Sequence, residues 1–172
     1  LHVRSRRQRQ MCIRDRFLIE LFELWYADWK NGTQPYIRQF ENYVGILLGY
    51  QPEACDQRGI CGIQNVVEAD GSVYPCDFYM MDEYRLGNFN TDRLDDINQR
   101  RSEIQFIEQS RKLDEECRFC KYFRLCRGGC QRNRDFQPDT GFYKNYFCEG
   151  YRMFFRQCYE QIIEIGKSLS KS

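Results

Sequence analysis

Residues 117–130 read CRFCKYFRLCRGGC, four thiols in fourteen residues at the spacing C-x2-C-x5-C-x3-C. Basic and aromatic residues separate them and two glycines precede the last, so side chains that need solvent or a partner lie between sulfurs. Core packing does not produce that pattern; a metal does. Cys55, Cys61 and Cys76 upstream and Cys148 downstream bring the set to eight, enough to saturate two four-thiolate sites. The single histidine is His2, at the far end, so a tetrahedral site here is all sulfur. Such ligation suits zinc or an iron-sulfur cluster, and spacing alone does not separate the two. A disulfide framework is the weaker rival, because a C-x2-C pair closes on itself only with strain and 172 residues can bury a core without staples.

Length points to one domain or slightly more. Aromatic residues make up 16% of the chain and the formal charge is +1, a composition of folded, soluble proteins rather than disordered ones. No apolar run approaches the roughly eighteen residues of a membrane span, and no signal peptide precedes the fold. The expected compartment is the cytosol, where thiols stay reduced and available to metals. Residues 1–16, LHVRSRRQRQMCIRDR, carry six arginines against Asp15; taking their net +5 from the chain's +1 leaves the rest at −4. The stretch lacks apolar periodicity, and MCIRDR resembles a translated sequencing adapter. It reads as a non-native leader rather than a basic nucleic-acid arm, and Cys12 is not counted as a ligand.

From Phe17 the pattern is helical, with Leu18, Leu21, Phe22, Trp25 and Trp29 on one face and Asn31-Gly32 as a stop. Residues 35–50 suggest a short strand around Tyr36 to Phe40, then an apolar helix through Tyr43, Val44, Leu47 and Leu48 ending at Gly49. Helix, strand, helix without partner strands looks like the tail of an α/β domain. Residues 64–77, QNVVEADGSVYPCD, form the clearest hairpin: Asp70-Gly71 supplies a two-residue turn between Val66, Val67, Val73 and Tyr74, with Pro75 at a strand end. If Ala69 pairs with Ser72, Cys76 faces Asn65 with Cys61 just beyond. Cys55, Cys61 and Cys76 then gather at the hairpin mouth and leave room for a fourth thiolate.

Further on, Leu86-Gly87-Asn88 punctuates the chain, and Leu94, Ile97, Ile104, Ile107 and Leu113 sketch one or two packing helices. Residues 131–147 look polar and irregular. A C-terminal helix starts near Gly150 with Tyr151, Phe154, Phe155, Cys158, Ile162, Ile165 and Leu169 as its buried stripe; Cys158 on that stripe is a small core residue, not a ninth ligand. The expected fold is α+β, divided into 1–16 leader, 17–50 end of a partial barrel, 51–150 a cysteine-rich domain with a hairpin and helices around two four-cysteine sites, and 151–172 a terminal helix.

GSVYPCDFY, then RLGN, then CRFCKYFRLCRGGCQRNRD together resemble the C-terminal half of anaerobic sulfatase-maturating enzymes, a branch of the radical S-adenosylmethionine family. That half carries a SPASM domain with two auxiliary 4Fe-4S clusters, and the likeness runs from about Phe17 to the C-terminus. The resemblance implies that Cys55, Cys61, Cys76 and Cys130 hold the first auxiliary cluster and Cys117, Cys120, Cys126 and Cys148 the second. It also implies that Asp77, one residue from ligand Cys76, is the base during substrate oxidation. Gln64, Tyr74 and Tyr79 flank the same mouth as candidates for a peptide groove. The implied reaction converts a cysteine or serine of an unfolded sulfatase peptide to Cα-formylglycine. A deoxyadenosyl radical takes a hydrogen from the substrate Cβ, and an external electron donor or acceptor completes the redox balance.

The departure from the family is that its radical cluster needs C-x3-C-x2-C. Cys126 and Cys130 have the first spacing, but Asn133 stands at the third position. The glycine-rich S-adenosylmethionine segment is absent as well. The expectation is therefore a C-terminal fragment, inactive alone, with a third 4Fe-4S cluster and S-adenosylmethionine belonging to an N-terminal part. Two alternatives remain: a SPASM domain of another peptide-modifying enzyme, against which Asp77 and the PCDFY context argue, and a zinc-stapled nucleic-acid-binding module. For the latter, Arg118, Lys121, Arg124, Arg127, Arg132 and Arg134 would face phosphates; they read better as a solvated rim around anionic clusters.

Overall fold

The structure, a computed structural model, describes residues 6–170, with side chains from residue 16 onward. The reading of residues 1–16 as a leader, and of Cys12 as no ligand, lies largely outside the described residues.

The chain is a mixture of helices and two small sheets. Helix α1 (Arg6–Lys30), α2 (Arg38–Leu47) and α7 (Cys148–Leu169) pack together and bury one aromatic core. Each presents apolar residues at helical spacing: Ile19, Phe22 and Trp25 on α1, Phe40, Tyr43 and Val44 on α2, Tyr151, Phe154, Phe155, Cys158, Ile162 and Ile165 on α7. Leu18, Leu21 and Trp29 flank that core, only partly buried. Phe22 meets Phe40 edge-on at 5.1 Å between ring centres, and Tyr43 meets Phe155 the same way at 5.1 Å, the geometry favoured by ring quadrupoles.

The strand expected around Tyr36 to Phe40 is absent: backbone is extended at Ile37, and the helix begins at Arg38. With no neighbouring strand to pair with, the helical spacing of Phe40, Tyr43 and Val44 decides the outcome. Pro35 keeps the preceding residues out of the helix, and its carbonyl accepts from the Trp25 indole at 2.9 Å. A buried amide relay ties α2 to the short helix α3 (Cys55–Arg58): Asn42 Nδ2 donates to Gln57 Oε1 at 2.7 Å, and Gln57 Nε2 donates to the Gln39 carbonyl at 3.0 Å.

Strands β1 (Val66–Val67), β2 (Ser72–Tyr74) and β3 (Gly87–Asn88) form an antiparallel sheet in that order. Its register differs from expectation by one residue. Val66 pairs with Tyr74 and Val67 with Val73, so Glu68 faces Ser72 and the turn is the three-residue Ala69-Asp70-Gly71. Asp70 explains the shift: its carboxylate accepts from both the Ser72 N–H and hydroxyl at 2.9 Å, and Gly71 takes the left-handed position (φ 85°). The sheet packs Val73, its buried apolar strand residue, with Leu86 and with Ile97 of α4 (Leu94–Glu103) in a second, small core. A left-handed Gln105 (φ 50°) breaks α4 from α5 (Phe106–Gln109), and Leu113 lies beyond both helices.

Helix α6 (Phe123–Cys126) carries Leu125 into the aromatic core. Residues 131–147 hold a two-stranded ribbon where the sequence reading expected an irregular stretch. Strands β4 (Arg134–Gln137) and β5 (Phe142–Asn145) pair in full register from Arg134 opposite Asn145 to Gln137 opposite Phe142. Helix α7 starts at Cys148, two residues before the expected Gly150, and Leu169 at its end is exposed rather than buried. Among the described residues no helix is long and apolar enough to cross a membrane.

Candidate metal centre

Four of the eight cysteines line one pocket and the other four a second. Cys55 opens α3, and Cys61 follows the left-handed Gly59 that ends it, its N–H donating to Ser110 Oγ at 3.0 Å. Cys76 comes after β2 and Pro75, just before a single 3-10 turn, Asp77–Tyr79. Cys130 arrives from the loop after α6. These four line one pocket together with Gln64, Tyr79, Phe106 and Gln131.

The second pocket is lined by Cys117, Cys120, Cys126 and Cys148. Cys117 ends a 3-10 turn capped by Asp114, whose carboxylate accepts from the Glu116 N–H at 2.9 Å; Cys126 ends α6; Cys148 begins α7. Tyr122, Tyr151 and Phe155 supply an aromatic wall continuous with the main core. At the rim, Glu116 pairs with Lys144 at 2.8 Å and Arg152 at 3.0 Å.

The loop joining Cys126 to Cys130 separates the pockets. Arg127, Gly128 and Gly129 all have positive φ (50°, 81° and 66°), a run of left-handed residues that reverses the chain within three positions. Gly128 faces the second pocket and Gly129 the first. Arg134 clamps this wall. The sequence placed it on a solvated rim, but it is buried, and its guanidinium donates to the carbonyls of Gly59, Ser110, Gly128 and Gly129. Of the other basic residues in that group, Arg118, Lys121 and Arg124 are exposed and Arg132 stacks on Phe78, 4.1 Å from the ring centre.

Burial pushes the thiols up: Cys76 and Cys126 to about 12, and Cys61, Cys117, Cys130 and Cys148 in the same direction. Low-dielectric surroundings penalise a bare thiolate, so deprotonation here needs a positive partner at the sulfurs, as metal ligation supplies. All eight thiols are free, which leaves them available as ligands. Among the described residues no three Cys, His, Asp or Glu side chains come together closely enough for a single metal ion; the sulfurs stand around a space instead. An all-sulfur set of four thiols around each space, with no nitrogen or carboxylate donor among them, has the donor chemistry of a polynuclear iron-sulfur core.

Of the remaining candidates, Asp77 is exposed and accepts from the Cys76 thiol at 3.2 Å. Gln64 and Tyr79 line the first pocket, whereas Tyr74 is in β2 opposite Val66 and does not. Phe106 and Gln131 were missed: one lies on a helix read as ordinary packing, the other in a stretch read as irregular. Gln131 Oε1 sits 3.7 Å from Cys61 Sγ.

Residues 60–121 match the SPASM family, an iron-sulfur cluster-binding domain, a match in keeping with the two thiol-lined pockets. Over 154 residues, 90% of the chain, it is 40% identical to the cysteine-type anaerobic sulfatase-maturating enzyme of Clostridium perfringens strain 13. It is 29% identical over 146 residues to the serine-type enzyme of Bacteroides thetaiotaomicron, covering 81% of the chain. The structure of native anSMEcpe with bound AdoMet superposes with a TM-score of 0.82 at 40% identity, covering 90% of this chain and 43% of that one. Native anSMEcpe with bound AdoMet and Cp18Cys peptide gives 0.81 at 42% identity, with the same 90% and 43% coverage. The chain thus resembles the C-terminal, SPASM-bearing part of anaerobic sulfatase-maturating enzymes, and it spans 42% and 34% of the two curated relatives' lengths.

Proposed function

We propose that this chain is the auxiliary-cluster and substrate-binding part of a radical S-adenosylmethionine sulfatase maturase, which oxidises a cysteine or serine of an unfolded sulfatase to Cα-formylglycine. The observation that carries the reading is the division of eight free thiols between two pockets, four to each. Cys55, Cys61, Cys76 and Cys130 would hold one 4Fe-4S cluster and Cys117, Cys120, Cys126 and Cys148 the other. Such clusters, when bound, supply one-electron carriers whose potentials the surrounding protein sets. Residues 17–50 we read as the end of a barrel domain, 51–150 as the auxiliary-cluster domain and 151–172 as the helix that closes them. A third cluster and S-adenosylmethionine belong to a part of the enzyme outside this chain. The proposed compartment is the cytosol, and the proposed redox partner is an external electron donor or acceptor.

Asp77 is the base in this scheme. Its exposed carboxylate accepts a hydrogen bond from the Cys76 thiol; with Cys76 ligating as thiolate that donor would be gone, leaving the carboxylate free to take the proton released as the substrate side chain is oxidised. Gln64 and Tyr79 form the wall the peptide meets. Support for a peptide substrate comes from relatives solved with Cp18Cys and Kp18Cys peptides bound.

The chain purified without oxygen should contain iron and sulfide in equal amounts, about eight irons per chain for two four-iron clusters. A colourless, zinc-loaded protein would sink the reading. In the complete enzyme, Asp77→Asn should keep its iron and lose formylglycine formation by at least about a hundredfold, the usual contribution of a general base.

A further inference from the structure

Arg134 is 7% exposed, and buried cations are ordinarily matched by a buried anion. Among the described residues it forms no ion pair with a carboxylate. Nε donates to the Gly128 carbonyl at 3.2 Å, one terminal nitrogen to Ser110 at 2.5 Å, and the other to Gly59 at 2.8 Å and Gly129 at 2.6 Å. Carbonyls satisfy the N–H groups but carry no net charge, so the positive charge remains uncompensated. The acceptors show where it points. Gly59 and Gly129 are wall residues of the first pocket, Gly128 of the second, and Ser110 holds the Cys61 N–H through its hydroxyl. The guanidinium is fixed in the partition between both thiol sets. Desolvation pulls its pKa down, while thiolates at Cys61 and Cys130 of one set and Cys117 and Cys126 of the other push it up.

We propose that Arg134 is a countercharge shared by the two centres, a positioning residue that locks their common wall and stabilises the more negative, reduced state of both. This rests on the iron-sulfur reading of the pockets. Net charge and nearby donors set cluster potentials, and a unit charge in a poorly solvated wall acts on both sites with little screening.

The test is a potentiometric titration of the purified 172-residue chain followed by electron paramagnetic resonance, with iron analysis on each sample. In Arg134→Gln, the reduced-to-oxidised ratio at a fixed poise should fall about tenfold for each cluster, a negative midpoint shift of about 59 mV for one electron. Arg134→Lys keeps the charge but not the four-carbonyl fork, so it should keep wild-type midpoints while unfolding more easily. Full iron in Arg134→Gln with neither midpoint moved, or only one, overturns the proposal. If Arg134→Gln takes up no iron, Arg134→Lys decides: iron uptake with wild-type midpoints supports the shared charge, and any other result overturns it. A wild-type chain without iron and sulfide would instead reject the underlying cluster reading.

Discussion

At residue 129 the wall between the two pockets depends on a missing methyl group. Gly129 has φ 66°, and a Cβ there would sit 2.5 Å from Asn145 Nδ2, the group that donates to the Gly128 carbonyl at 3.0 Å. Gly129→Ala therefore adds a left-handed alanine, about 1–2 kcal/mol, and displaces a buried hydrogen bond, about 1 kcal/mol. Denaturant unfolding of the anaerobic protein should show a loss of roughly 2–3 kcal/mol from these two costs together. An unchanged midpoint would mean that the loop relaxes freely. The sequence showed the two glycines as punctuation before a cysteine; it did not show what they avoid, because Asn145 is distant in the chain and sat in a segment without visible period. Arg134 was obscured in the same way. Six basic residues in one stretch look alike as letters, and only the approach of residues 59, 110, 128 and 129 separates the buried one from its exposed neighbours.

Among the elements, helices were legible where the apolar period was long. Residues 151–165 of α7 present the stripe their spacing promised, because a face several turns long has one way to bury itself; on α1 the helix was legible, but its buried line is Ile19, Phe22 and Trp25, with Leu18, Leu21 and Trp29 at its edges. Short strands were not. The β4/β5 ribbon, Arg134-Asp135-Phe136-Gln137 against Phe142-Tyr143-Lys144-Asn145, does not alternate polar with apolar residues, and half-exposed positions give little contrast between faces. The first hairpin was found but slipped by one residue, since the sequence does not reveal that Asp70 binds Ser72.

Two predictions belong to the helix pair. Phe154 on α7 is fully buried and touches Phe22, Phe40, Tyr43 and Phe155; Phe154→Ala should cost about 3–5 kcal/mol in denaturant unfolding. At the solvent edge, Glu164 of α7 accepts from Lys30 and from the Tyr26 hydroxyl of α1. These hydrogen bonds hold the Glu164 carboxyl below its ordinary value. A lowered carboxylate stabilises above its unfolded pKa, about 4.3, and loses that contribution as pH falls through the folded value. The group is exposed, so the effect is small and screened by salt. Glu164→Gln should melt slightly below wild type at pH 7, with the gap closing toward pH 3; an equal gap at both pH values would show that charge is not involved.

Across the whole molecule the two cores are unequal. Fifteen side chains from α1, α2, α6, α7 and Tyr122 make the large core, against Val73, Leu86 and Ile97 in the small one. Besides that small core, residues 61–113 bury Phe106, which meets Tyr79 and Tyr84 edge-on. Contacts that cross the fold, chiefly Arg134 to Gly59 and Ser110, hold this segment to the rest, and in the proposed reading ligation at Cys61 and Cys76 adds to them. Because Cys130 lines the same pocket as the upstream thiols while Cys126 lines the other, the two share one loop, and the proposed cluster reading implies that emptying either loosens both. Hydrogen exchange before and after anaerobic chelation should therefore split the chain. Amides of residues 61–113 should lose most of their protection without metal, while residues 18–47 and 150–166 keep theirs because their aromatic packing needs no ligand. Uniform loss over both parts would mean that the helical layer is not an independent unit. Unchanged protection at 61–113 would mean that its order does not come from the thiol sites, and the two-pocket architecture would then be a consequence of the fold rather than one of its causes.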